Sequence, residues 1–125
     1  MASPDVSSPK RVVLLGAMTD AWYEATDEER RTKILPRFAD LVGEWTALGA
    51  RALATLDDDL LMVGDPRSTG VTFYLMFEID ELETVLAMIQ RIRETVGGVR
   101  MDHYVRFEAR IGRPFFLLEP PSSPQ

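Results

Sequence analysis

The sequence predicts one α+β domain of the ferredoxin-like βαββαβ kind, an antiparallel four-stranded sheet with two helices on one face. Three observations lead there. A short apolar run precedes an amphipathic segment opened by a capping box, Thr26-Asp-Glu-Glu29. A strand dense in aromatic and β-branched residues, Val71–Ile79, precedes a second amphipathic segment. Near the C-terminus, Met101–Ile111 alternates apolar and polar residues with period two. At 125 residues the chain suits a single core without staples, and it contains no cysteine. Disulfides, thiolate metal ligands and a thiol nucleophile are therefore excluded.

In chain order, residues 1–9 are low in apolar side chains and are expected to be disordered, as are residues 119–125, which hold three prolines. The domain is expected to span 10–118. Arg11–Ala17 is almost wholly apolar and reads as a central strand. Trp22 and Tyr23 follow in a loop. After the capping box, Ile34, Leu35, Phe38, Leu41, Val42, Trp45 and Leu48 recur every three to four residues, and Gly49 supplies the stop. Pro36 falls within this pattern and predicts a kink or break.

Arg51–Leu56 is a second strand. Asp57-Asp58-Asp59 marks a turn, Leu60–Val63 continues extended, and Gly64–Gly70 is a loop. After Val71–Ile79, Asp80 is placed to cap a helix whose stripe is Leu82, Val85, Leu86, Ile89, Ile92 and Val96, ended by Gly97-Gly98. The final strand runs from Met101 to Ile111. Two right-handed crossovers then give the βαββαβ order.

Parity assigns the faces. Val105, Phe107, Ala109 and Ile111 should meet the helices, as should Phe73, Leu75 and Phe77. The helix-free face then carries Tyr74, Met76, Glu78, Tyr104, Arg106 and Glu108. Such a face is too apolar for open water and too charged for a dry core, so a homodimer is expected to cover it. The tail Phe115-Phe116-Leu117-Leu118 adds large apolar residues beyond the fold, and a dimer contact is the expected reason.

The element order resembles the dimeric α+β-barrel superfamily, which includes muconolactone isomerases, antibiotic-biosynthesis monooxygenases and YCII-like proteins. Thr19-Asp-Ala-Trp22, Glu28-Glu29-Arg30 and the acidic run Asp57–Asp59 are similar to darcynin-like proteins. The resemblance implies the fold, a homodimer, and a pocket on the open sheet face for a small hydrophobic or aromatic molecule. It also implies chemistry of the isomerase, cyclase or monooxygenase type that needs no cofactor. A non-catalytic dimeric binding protein is the alternative.

Among candidate residues, His103 is the one histidine and the natural general base near neutral pH. Parity puts it on the helix side, and a bulge between Arg100 and Asp102 would be needed to turn it into a cavity. Tyr74, Tyr104, Arg106 and Glu108 are placed to polarise an enol or phenol, with Glu108 or Glu78 as base. The alternative for Arg106 and Glu108 is an ion pair at the dimer contact. Met76 would line the pocket. Trp22 and Tyr23 serve either as lids or as a staple at the start of the helix. No metal is expected at Asp57–Asp59, because adjacent carboxylates in extended chain diverge and a calcium loop needs alternating ligands.

The net charge of −6 argues against a nucleic-acid partner. Val71-Thr-Phe-Tyr-Leu-Met-Phe-Glu78 also lacks the basic start and the glycine of an RNA-recognition strand. No membrane span or signal-peptide run is visible, so a cytoplasmic location is expected.

Overall fold

In a computed structural model, residues 9–64 and 70–118 are described, and they form an α+β unit. Strand β1 spans Lys10–Met18. Helix α1 (Asp20–Glu24) and helix α2 (Asp27–Glu29) follow, and a π-helical turn (Arg30–Ile34) leads into α3 (Leu35–Ala47). Then come β2 (Arg51–Asp57), β3 (Val71–Ile79) and α4 (Leu82–Ile92). A small hairpin of β4 (Thr95–Val96) and β5 (Val99–Arg100), a helical turn α5 (Met101–Tyr104) and β6 (Val105–Gly112) complete the chain. The main sheet is ordered β2-β3-β1-β6 with every pairing antiparallel. Counting its four strands in chain order, this is second, third, first, fourth: the ferredoxin-like arrangement.

The register places the faces as parity requires. Val12 lies between Phe77 and Ile111, Leu14 between Leu75 and Ala109, and Gly16 between Phe73 and Phe107. These rows face the helices, except that Ile111, expected to meet them, is 46% exposed at the end of the edge strand. Ile34, Leu41 and Trp45 come down from the first helical run, and Val85, Met88 and Ile92 from α4. Trp45 is fully buried, its ring edge-on to Phe77 and Phe107 at 5.7 and 6.0 Å. Its indole Nε1 donates to the Met88 carbonyl at 3.1 Å, which ties α3 to α4.

The capping box forms as expected. Glu29 N donates to Thr26 Oγ1 at 3.0 Å, and Thr26 N donates to the Glu29 carboxylate at 3.2 Å. The bond from the Thr26 backbone holds the Glu29 carboxyl below its ordinary range. Pro36 does not break the run. Its missing N–H cannot serve the carbonyl four residues back, and its ring would press on that carbonyl. The preceding turn widens to π instead, with the Leu35 amide bonded to the Arg30 carbonyl.

Five expectations need correcting. The helix after β3 starts at Leu82 with Glu81 as N-cap, not Asp80, and no side chain caps it. It also ends at Ile92. The glycines beyond it serve a hairpin instead: Gly97 and Gly98 both have positive φ, +60° and +81°, as a two-residue type I′ turn requires. Its buried stripe is Val85, Met88 and Ile92, while Leu82 and Leu86 are exposed.

Leu60–Val63 forms no strand and is exposed. Finally, the last strand starts at Val105 and not at Met101. Strand β1 ends where Met18 pairs with Val105, so residues before Val105 have no ladder partner. There Met101–Tyr104 coils into a turn, and Thr19 takes over their carbonyls: its N–H donates to Tyr104 O and its hydroxyl to His103 O. The expected disordered ends and most of the Gly64–Gly70 loop lie outside the described residues.

Candidate functional site

The helix-free sheet face has an apolar centre and a charged margin. Val13, Leu15, Tyr74 and Met76 are half-buried at the centre, on the two inner strands. Leu56 lies opposite Tyr74 on β2 and is 58% exposed. At one margin the Arg51 guanidinium bonds the carboxylates of Glu78 at 3.1 Å and Asp80 at 3.0 Å. Those two bonds, Asp80 first, push the Arg51 pKa up. Along the β6 margin stand Arg106, Glu108 and Arg110, with Arg110 3.5 Å from the Glu108 carboxylate. Leu117 and Leu118 beyond it are 69% and 82% exposed, so the tail does not pack away on its own subunit.

The candidate groups are therefore not equivalent. The Tyr74 hydroxyl donates to Asp58 at 3.1 Å, and that bond raises the phenol pKa by favouring its protonated form. Glu78 is held by Arg51. Met76 sits at the apolar centre. Tyr104 leaves the open face altogether, because α5 turns it toward the core. His103 is exposed on α5, its ring edge-on to Tyr104 at 4.8 Å, and so lies neither on a strand nor inside a cavity.

Trp22, with Tyr23, lies on helix α1 and not in the expected loop. It packs on the core, and Arg30 sits 5.5 Å above its ring while donating to the carbonyls of Trp22 and Tyr23. Tyr23 is exposed.

Arg106 and Glu108 do meet a cavity, and it lies at the edge of the sheet and not over its open face. A cleft of about 330 Å³ opens between α4 and the edge strand β6. Leu14, Ile89, Ile92, Val105, Phe107 and Ala109 supply its apolar surface. Arg93 and Asp102 also border it, as do Arg106 and Glu108, which alternate along β6 with the helix-side Phe107 and Ala109 and reach it at the sheet edge. The volume is at the lower end of the range for small-molecule pockets, and convergent polar groups on an apolar wall are their usual make-up.

Asp102 is itself held by Arg100 through two bonds of 2.6 and 3.0 Å, and it raises the Arg100 pKa. Sequence reasoning missed Ile89, Ile92, Arg93 and Asp102 as site residues. One signal was present: residues 91–113 hold six arginines against three acids, in a chain whose net charge is −6.

Among the described residues no group of three or more metal-ligating side chains converges, and no helix is long and apolar enough to cross a membrane. No protein-family model matches the chain, and no curated protein matches it. Among solved structures, a PII-like signaling protein from Thermus thermophilus is similar at 21% identity. The match covers 82% of this chain and 85% of that one, with a TM-score of 0.39. The fold assignment rests on the sheet order and not on that likeness.

Proposed function

We propose that the protein binds a compact, largely apolar small molecule in the cleft between α4 and β6 and transforms it without a cofactor. The chemistry is of the isomerase, cyclase or monooxygenase type. The single observation carrying this reading is the meeting of Arg106 and Glu108 with Ile89, Ile92 and Phe107 around one cleft. There the arginine polarises an enol or phenol oxygen, and Glu108 is the base.

Titration with the neutral fluorophore N-phenyl-1-naphthylamine is expected to show one saturable site per chain. Ile89→Glu is expected to weaken it by about tenfold or more, since a carboxylate would replace an apolar wall. Unsaturable binding, or binding indifferent to Ile89→Glu, would remove the cleft from the account.

A second reading, a binding protein without turnover, is favoured by the engagement of both candidate carboxylate bases and of the Tyr74 phenol, while His103 lies outside the cleft. Glu78 is paired with Arg51, Glu108 with Arg110, and Tyr74 is bonded to Asp58. A bound compound recovered chemically unchanged selects this reading.

The working unit is proposed to be a homodimer closed over the open sheet face. What supports this is the apolar centre of Val13, Leu15 and Met76 inside a charged margin, the usual anatomy of a protein interface. The exposed Phe115–Leu118 tail and the resemblance to darcynin-like and other dimeric α+β-barrel proteins point the same way. Sedimentation velocity at micromolar concentration is expected to give twice the chain mass of 14.1 kDa. Leu15→Arg is expected to return the species to one chain. A wild-type monomer throughout that range contradicts the dimer.

A further inference from the structure

We infer that Leu60–Val63 is a dimer arm, which leaves solvent by lying against the open sheet face of a second copy of this chain. The inference rests on the homodimer reading above and gives this segment its role there. Its four consecutive apolar side chains are 61–94% exposed in the single chain. Contiguous apolar residues so exposed mark an interaction surface.

Two hydrogen bonds fix where the segment starts. The Asp58 amide donates to the Thr72 carbonyl at 2.9 Å, one step beyond the last β2–β3 pair, Asp57 with Phe73. The Asp58 carboxylate accepts from the Tyr74 hydroxyl at 3.1 Å, and Tyr74 belongs to the open face. Leu60 follows two residues later, within about 7 Å of that anchor. The arm therefore begins at the rim of the open face and not on the helix side.

The size of the face argues for a second copy as the occupant. About three side chains from each of the four strands point from it, roughly a dozen in all. A standard interface takes about 20–30 residues from each partner. The strands supply about half of that, so a stable dimer needs further apolar surface adjoining the face. Leu60–Val63 adjoins it through Tyr74. Leu82 and Leu86 are exposed as well, but they lie on α4, on the opposite side of the sheet.

The chain has no cysteine, so Leu61→Cys carries a single thiol. Leu61 is 78% exposed in the single chain, and substitution there should leave folding intact. Its reaction with N-ethylmaleimide is measured in the dimer and again with Leu15→Arg added, which returns the species to one chain. The dimer is expected to react at least about fivefold more slowly, since the thiol is then shielded. Leu60→Ser combined with Leu61→Ser should raise the dimer dissociation constant at least about tenfold, because two leucines no longer gain from burial. Equal thiol rates, or an unchanged dissociation constant, would overturn the arm and leave the dimer standing. A wild-type monomer removes the dimer reading and the arm with it.

Discussion

Trp45→Ala is expected to lower the unfolding free energy by about 3–5 kcal/mol, the cost of removing a large buried aromatic. Trp45 is completely inaccessible, packs edge-on against Phe77 and Phe107, and bonds the Met88 carbonyl across to the second helix. Its loss opens a cavity where three elements meet and also severs the bond between α3 and α4. Domains of this size have about 5–15 kcal/mol in all, so the variant should stay folded with little reserve or lose the fold. Urea denaturation followed by circular dichroism measures this directly. Trp45→Phe retains a ring and should cost less, losing part of the packing and about 1 kcal/mol for the hydrogen bond. A Trp45→Ala protein with an unchanged midpoint would mean that the helices are held to the sheet by something else.

Gly16→Val is expected to destabilise the protein by about 1–3 kcal/mol through overpacking alone. The Phe73 ring lies directly over Gly16: a Cβ there would sit 2.0 Å from Cζ and 2.4 Å from both Cε atoms. The ring has little room to retreat, because it packs against Phe38 at 5.9 Å and Phe107 at 6.1 Å. Gly43 is the control. It lies in α3 with nothing within 4 Å of an added Cβ, so Gly43→Ala should stabilise by about 0.5–1 kcal/mol through helix propensity. Opposite shifts of the thermal midpoint in the two variants would support the packing argument. A shift of the same sign in both would count against it.

The parts of the fold legible in the sequence were those set by period. The two-residue alternation of β3 and β6 and the three-to-four spacing around Leu41 and Trp45 report burial directly. Their faces were therefore readable before any coordinates. What was not legible depended on where a neighbour ends. Met101–Tyr104 alternates as well as any strand, yet β1 runs out at Met18, and without a ladder partner the segment coils. Gly97-Gly98 reads equally well as a helix stop or a hairpin turn, and only the positive φ at both residues separates them.

The site was half legible for a similar reason. Arg106 and Glu108 were singled out from their strand, but as part of an open-face pocket and not of a cleft beside α4. However, the cleft they border is made by the position of α4 beside an edge strand. Ile89 and Ile92 look like ordinary core positions, and Arg93 like an ordinary surface residue. His103 and Tyr104 were placed by extending a strand into a helical turn, and both placements failed together.

The central claim is that the edge cleft, not the open sheet face, is where a small molecule binds. Backbone amide chemical shifts of the labelled protein, titrated with 8-anilinonaphthalene-1-sulfonate, test it most directly. The account predicts saturable shifts concentrated in Ile89–Arg93 and Val105–Ala109, the segments that wall the cleft. Shifts centred on Val13, Leu15, Tyr74 and Met76 would contradict it and return the site to the open face.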